Sequence, residues 1–316
     1  MGFVNVFVDG LGLAQVKLRR RMTCSVRMSA DKPEESLEQF ASIQDAKELL
    51  DKVYSEYEGG KMALMTRFGT SSARVIADCF PEPANPLGIA ICGTGDKGTV
   101  GFRAAEELSK MGFEMTVLAC DDNPDFDEQM VRDAGLKYLD FVPGPIDAHF
   151  NFYIDAMVGV EYDNNELDQA YMSVIEKIAN SERPTVSIDV PTGWHLTKGP
   201  KDEDLWRGLS LKPDLLISLG VPKVTARRFG GAFHYVVGNC LPAEEVERIK
   251  LKLPSFPNGS DFTLVGGNPA LFGWGKKPGE VYGVEGGFQA TMFPQQQSRR
   301  KWVDIDDDPE IWDELD

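Results

Sequence analysis

The chain has 316 residues, and 42% of them are hydrophobic, which is enough for one sizeable folded domain with a packed core. Its formal net charge at pH 7 is -17, because 50 acidic side chains outnumber 33 lysines and arginines. Nucleic acids are bound by fields of basic side chains, so this charge argues against a nucleic-acid partner. The sequence contains no apolar run as long as a membrane span, so none is expected.

The first 32 residues are predicted to form a basic leader. Residues 1–30 contain one acid, Asp9, against five basic side chains: Lys17, Arg19, Arg20, Arg21 and Arg27. This composition is typical of a transit peptide that directs a protein to the mitochondrion or the plastid. We therefore expect a protein of one of these organelles, and a disordered leader without a targeting function is the alternative.

From residue 33 the pattern predicts two helices and then alternating strands and helices. Apolar residues recur at helical spacing in 33–57 and 62–80, with the pair Gly59-Gly60 between them. Strands are predicted at 87–92, 115–120, 137–142, 149–155, 185–190, 214–219 and 233–237. Further helices are predicted at 100–111, 124–134, 164–180 and 242–250. Such alternation predicts a mainly parallel sheet covered on both faces, with ligands at the carboxyl ends of its strands.

A glycine-rich turn follows the first of these strands. Gly93, Gly95 and Gly98 match the pattern G-x-G-x-x-G between a strand and a helix. This spacing permits a tight turn and lets backbone N–H groups approach a phosphate closely. The next strand ends at Asp121-Asp122, where dinucleotide-binding folds place an acid on the ribose. Spacing alone therefore favours a nucleotide site, and an oxidoreductase is the first hypothesis.

Two carboxylates are predicted near strand ends. Asp155 lies in the apolar segment 154–159, and Asp189 lies in the segment 186–195. A carboxylate in an apolar strand is costly unless a cation, a hydrogen-bond donor or a proton compensates its charge. Either residue alone is compatible with a role in capping a loop. Two of them beside a glycine-rich turn favour a functional site.

Residues 266–316 are predicted to be an extended tail, since glycine, proline and glutamine dominate after residue 264. Its last part, 299–316, begins with basic residues and continues as an acidic segment that also contains Trp302 and Trp312. Acidic termini are usually solvated, which is one interpretation. The other hypothesis is that the apolar side chains dock this segment on a basic groove of a protein partner.

The ordered motifs from about residue 40 to residue 264 resemble the NAD(P)H-hydrate epimerases, the YjeF N-terminal domain family. The resemblance is carried by Cys92-Gly93-Thr94-Gly95, Asp155-Ala156 with Gly159, Ser187-Ile188-Asp189-Val190-Pro191-Thr192-Gly193-Trp194, Lys212-Pro213-Asp214-Leu215-Leu216-Ile217-Ser218-Leu219, Pro222-Lys223 and Phe233-His234-Tyr235. We therefore assign residues 33–265 to a domain of this type. The resemblance implies a Rossmann-like three-layer α/β/α sandwich, often a homodimer. It also implies the interconversion of the R and S forms of hydrated NADH or NADPH in cofactor repair.

The resemblance also implies roles for individual residues. Asp189 corresponds to the residue that contacts the hydrated nicotinamide nucleotide, and it is the best acid/base candidate. The residues expected to contact the nucleotide are Gly93, Gly95, Asp96, Lys97, Gly98, Thr99, Gly159, Val160 and Asp189. A potassium ion is the implied cofactor, and Asp155 and Thr192 match two of its ligands.

The glycine turn departs from the family pattern Gly-Pro-Gly-Asn-Asn-Gly-Gly-Asp-Gly. Asp96 and Lys97 replace the two asparagines. Thr99 replaces the second of the paired glycines, and Val100 replaces the aspartate. Lysine carries donors and no acceptor, so Lys97 cannot bind a cation. One hypothesis is that its ammonium takes the potassium position and pairs with Asp155 and Thr192, so that the turn stays folded without metal. The alternative is a Lys97 that points into solvent.

Two functions remain open from the sequence. The first is a divergent NAD(P)H-hydrate epimerase that uses Asp189. Its activity is expected to be weak or lost, because each missing acid/base group is worth on the order of a hundredfold or more. The second is a non-catalytic nucleotide-binding or scaffold subunit of an organellar complex. A dehydrogenase loses most of its support through the family resemblance, and it would also need a substrate domain for which the chain has no room. His195 is interpreted as a surface-loop residue, with a catalytic replacement as the alternative.

Overall fold

The computed structural model describes residues 6–8, 14–16, 40–120, 123, 125–142, 146–160, 167, 169–200, 210–253 and 255–268. Predictions that concern the rest of the leader, Asp121 and Asp122, or the tail beyond residue 268 lie outside the described residues. Within residues 1–32, strands β1 (Val6–Val8) and β2 (Ala14–Val16) pair in antiparallel fashion. Over the described ranges, no helix combines the length and the apolar character needed to cross a membrane.

The described residues form one large sheet of eight strands. In chain order these are β3 (Leu87–Cys92), β4 (Glu114–Ala119), β5 (Lys137–Leu139), β6 (Phe152–Ala156), β7 (Thr185–Ile188), β8 (Leu215–Leu219), β9 (Phe233–Val237) and β10 (Phe262–Gly266). Their order in space is β10-β9-β8-β7-β6-β3-β4-β5, with β10 antiparallel to β9 and the other pairs parallel. The chain runs outward from β3 to β5 and then returns to β6, on the other side of β3. This reversal is a topological switch point, where α/β sheets hold their ligands.

Helices cover both faces of the sheet. They are α1 (Ile43–Glu56), α2 (Gly60–Cys79), α3 (Gly95–Lys110), α4 (Glu128–Asp133), α5 (Gln169–Ala179) and α6 (Ala243–Arg248). Successive side chains of β3 point to opposite faces. Ala90 and Cys92 pack in a core cluster with α2 and α3, whereas Ile89 and Ile91 pack in a second cluster with α5. The Rossmann-like α/β/α sandwich expected from the sequence is therefore confirmed.

Most element boundaries lie within a few residues of their predictions, and several differ more. Helix α1 begins at Ile43 rather than at residue 33, because the Ser42 side chain caps its first turn by accepting from the Asp45 N–H. Helix α3 begins at Gly95 rather than near residue 100, because the glycine turn itself forms the first helical turn. Strand β5 ends at Leu139 rather than at residue 142. Strand β10 was not predicted, because its glycine-rich end resembles the tail that follows, yet Phe262–Gly266 pairs along the edge of β9.

Candidate functional site

The glycine turn joins β3 to α3 at the switch point. Gly95 has φ 80°, a left-handed conformation that glycine adopts without strain. A Cβ at Gly98 would lie 1.9 Å from the Gly93 carbonyl oxygen, and a Cβ at Gly93 would lie 2.2 Å from the Met157 carbonyl oxygen. The glycines thus let the turn pack against the chain that leaves β6. They also place the first N–H groups of α3 at the carboxyl edge of the sheet, where such groups bind phosphates.

Two side chains hold this turn in place, and one of them was missed in the sequence. The Asn123 Nδ2 group donates to the carbonyl oxygens of Gly93 at 2.9 Å and Gly95 at 3.3 Å. The Thr99 hydroxyl oxygen lies 2.9 Å from Asp125 Oδ2. Asn123 follows β4, where asparagine is a common turn residue.

The Lys97 side chain, in the first turn of α3, points into the protein and is 2% exposed. Its Nζ lies 3.1 Å from each carboxylate oxygen of Asp155. It also lies 3.1 Å from Thr192 Oγ1 and 2.7 Å from the Val190 carbonyl oxygen. The three donors of an ammonium match these three residues. Lys97 thus lies among the side chains that the resemblance assigned to a potassium ion, and not in solvent.

Asp155 is the centre of this buried cluster. Its carboxylate accepts hydrogen bonds from Ser187 Oγ at 2.8 Å, from the Thr192 backbone N–H at 2.9 Å and from Thr192 Oγ1 at 2.5 Å. The Met157 N–H lies 3.3 Å from Oδ1, and Thr192 Oγ1 itself accepts from the Val158 N–H at 3.3 Å. A fully buried carboxylate is stable only with such compensation. The hydroxyls and the ammonium of Lys97 supply it here.

A second buried ion pair lies at the end of the adjacent strand β7. Asp189 is one of the few non-glycine residues with positive φ, at 60°, and its side chain is 7% exposed. The Lys223 ammonium, 1% exposed, donates to Asp189 Oδ1 at 2.5 Å and to the Leu219 carbonyl oxygen at 3.1 Å. The Leu219 N–H donates to the same Oδ1 at 3.2 Å. Among the described residues, no donor reaches Asp189 Oδ2.

One short loop connects the two ion pairs. Asp189 binds Lys223, whereas the next residue, Val190, and then Thr192 bind Lys97. The loop after β6 lies against the same cluster, with Gly159 buried and Val160 partly exposed. Strained backbone such as that of Asp189 persists where its surroundings hold it, and it is concentrated at functional sites. The carboxyl edge therefore presents a restrained carboxylate beside the glycine turn.

Three other residues that the sequence singled out have different surroundings. Asp96, in the first turn of α3, forms an ion pair with Lys61 at 2.5 Å. The Nδ1 atom of His195 lies 3.2 Å from the Thr197 N–H and so stabilises a local turn. Val100 is fully buried in the apolar cluster between α3 and the sheet. The position at which the family has an aspartate is therefore a core position in this chain.

Fold and site together define a Rossmann-like α/β protein with its candidate site at a switch-point turn. A family model described as YjeF-related protein N-terminus matches residues 61–225. The chain belongs to this family, and the resemblance inferred from the sequence motifs is confirmed.

Individual relatives point the same way. A protein of Aedes aegypti named NAD(P)H-hydrate epimerase is 26% identical over 232 residues, which cover 67% of this chain and 93% of that protein. An Anopheles darlingi protein of the same name is 28% identical over 227 residues, covering 69% and 95%. A crystal structure of yeast ynu0 matches with a TM-score of 0.63 at 21% identity, over 72% of this chain and 99% of that one. This last similarity supports the fold.

Proposed function

We propose that this chain acts on hydrated NADH or NADPH, interconverting their R and S forms, with Asp189 as the acid/base residue. The observation that carries the proposal is the placement of Asp189. Asp189 follows β7 at the carboxyl edge, next to the strand that bears Asp155. Its backbone is left-handed, and its carboxylate is paired with a buried lysine. The relatives named NAD(P)H-hydrate epimerase support the choice of substrate.

The geometry of the carboxylate suits this reaction. Epimerisation at the hydroxyl-bearing carbon can proceed by opening of the ring C–N bond at that carbon. The hydroxyl gives its proton to a base as the carbonyl forms, and the electron pair of the C–N bond goes to the ring nitrogen, which takes up a proton. Closure of the ring on the other face of the carbonyl reverses both proton transfers. Asp189 Oδ2 can exchange that proton while Oδ1 stays bound to Lys223. The ion pair thereby keeps the carboxylate in one orientation, which is what an acid/base group needs.

Two features lower the expected rate. Asp96 places a carboxylate at the N-terminus of α3, where helix N–H groups attract anions and where a substrate phosphate would compete with it. Lys61 offsets this charge, although its side chain is 52% exposed and the pair is therefore weak. Val100, buried in the core, provides no acid/base group. We expect epimerisation that is measurable but slow.

A second candidate is a non-catalytic nucleotide-binding subunit. It is favoured by the pairing of both strand-end carboxylates with buried lysines, which already occupy carboxylate oxygens that would otherwise meet a substrate. In this case the edge of the sheet binds the nucleotide without converting it. The organellar location, the homodimer and the protein partner of the tail stay predictions from the sequence.

The test is direct chromatographic separation of the two epimers. Pure R-form hydrated NADH, and in parallel hydrated NADPH, is incubated with the full-length chain and with Asp189→Asn. The wild type is expected to form the S epimer faster than buffer does, and Asp189→Asn to lower this acceleration by about a hundredfold or more. The matched control is Asp133→Asn, which changes an exposed aspartate on α4 and should leave the rate unchanged.

The possible outcomes separate the candidates. Equal acceleration by Asp189→Asn would remove Asp189 from the chemistry. Saturable binding of hydrated NADH without acceleration would favour the non-catalytic candidate, and neither binding nor acceleration would reject both. Because Asp189→Asn leaves the Lys223 charge unpaired, its folding is checked by thermal melting. If Asp189→Asn does not fold, the double variant Asp189→Asn/Lys223→Met, which removes both charges, is used in its place.

A further inference from the structure

The inner side of the glycine turn contains a cluster of oxygen atoms of the kind that binds a hard cation. It comprises both carboxylate oxygens of Asp155, the carbonyl oxygen of Val190 and the hydroxyl oxygen of Thr192. Carboxylate, carbonyl and hydroxyl oxygens are the ligands that such cations take. In this chain the cluster already surrounds a positive charge, because Lys97 Nζ lies 2.7–3.1 Å from all four atoms.

A potassium ion does not fit beside this ammonium. The two cations have the same charge and nearly the same size, so an ion bound to these four oxygens would coincide with Lys97 Nζ. If the potassium ion instead lay about 4 Å from Lys97 Nζ, the ammonium would repel it by about 4 kcal/mol at an effective dielectric constant of about 20. The oxygen cluster therefore matches potassium in chemistry but is filled by the protein itself.

Lys97 is also held where it is. Its side chain is 2% exposed, and Asp155 is fully buried, so withdrawal of the ammonium would leave a buried carboxylate without its counter-charge. A tethered ammonium has a further advantage over a free ion, since it loses no translational freedom on binding. The close packing of Gly98 on Gly93 fixes the start of α3 and hence the point from which Lys97 enters the cluster.

We propose that the Lys97 ammonium is a built-in replacement for a monovalent cation, and that this chain keeps its glycine turn folded without potassium. The site is then insensitive to the kind of monovalent salt present. Removal of the lysine should restore the cation site, because Asp155, Val190 and Thr192 remain to bind an ion. This inference rests on the geometry of the buried cluster and does not depend on the epimerase function.

The experiment compares the thermal melting of the full-length chain in potassium, sodium and choline chloride at equal ionic strength. The wild type is expected to melt at the same temperature in potassium chloride and choline chloride. Lys97→Asn should melt lower in choline chloride and rise saturably with added potassium. The control is Lys110→Asn, which changes a lysine at the exposed end of the same helix, 61% exposed, and should behave as the wild type.

Two results would overturn the proposal: a potassium-specific rise in the melting temperature of the wild type, or a Lys97→Asn variant that melts identically in all three salts. If Lys97→Asn does not fold in any salt, the wild type decides alone. A wild-type crystal grown in rubidium chloride should then show no anomalous scattering peak beside Asp155. A peak at this position contradicts the replacement.

Discussion

The buried pair of Lys97 and Asp155 offers a quantitative prediction about stability. Removing one partner of a buried ion pair typically costs 3–5 kcal/mol, because the other charge is left uncompensated. In Lys97→Met, Asp155 keeps its donors from Ser187, Thr192 and Met157, so we expect a loss near the lower end, about 3 kcal/mol. Asp155→Asn should cost about as much, since it leaves Lys97 buried without its counter-charge.

The double variant Lys97→Met/Asp155→Asn removes both charges and should cost less than the sum of the single variants. For residues in direct contact we expect a coupling energy of about 1–3 kcal/mol. The control is the ion pair between Lys61 and Asp96, in which Asp96 belongs to the same turn as Lys97. The Lys61 side chain is about half exposed. Lys61→Met should cost no more than about 1 kcal/mol.

Urea unfolding of the full-length chain gives these free energies, with choline chloride as the only salt so that no potassium ion enters the vacated cluster. The denaturant midpoint and slope are measured for all four variants. A loss below 1 kcal/mol in Lys97→Met, or a coupling energy near zero, would show that the buried pair does not act as the structure indicates. If Lys61→Met lowered the free energy of unfolding as much as Lys97→Met, the effect would come from any change near the turn and not from the buried pair.

Three further changes test other parts of the fold. Burial lowers the pKa of His234 from 6.5 to about 3. The unfolded chain therefore binds a proton between these pH values that the folded chain does not, and stability should fall on acidification by up to about 1.4 kcal/mol per pH unit. His234→Gln, which can keep the hydrogen bond to Ser218, should flatten this dependence in urea midpoints measured from pH 7 to pH 4. Gly98→Ala should cost about 1–3 kcal/mol in urea unfolding, because its Cβ would lie 1.9 Å from the Gly93 carbonyl oxygen. Val100→Asp should lower the melting temperature strongly, and less at pH 5 than at pH 8, because it places a carboxylate in the apolar core.

The sequence predicts the framework of this protein well, because hydrophobic periodicity and strand ends are local signals. The apolar run 87–92 predicts strand β3. A carboxylate within a second apolar run, which forms β6, predicts the position of Asp155. Strand β10 escaped prediction, since a short edge strand that ends in glycine has the composition of a loop.

The sequence predicts which residues belong to the candidate site better than it predicts which of their side chains pair. Motif order identified Asp155, Thr192 and Asp189, but which lysine meets which carboxylate depends on packing between distant segments. Asp189 follows β7 and pairs with Lys223, which follows the neighbouring strand β8. The Val190 carbonyl oxygen joins the Lys97 cluster through the backbone, which no side-chain pattern encodes. The burial of Val100 in the core likewise depends on how α3 packs on the sheet, which the sequence of the turn does not encode.

The most direct measurement is the epimerisation of pure R-form hydrated NADH by the full-length chain in choline chloride, repeated in potassium chloride. We expect the S epimer to form faster than in buffer alone, at the same rate in both salts, and Asp189→Asn to abolish most of this acceleration. A chain that neither binds nor converts the substrate, or one that is active only with potassium, would contradict the function or the role of Lys97 proposed for this protein.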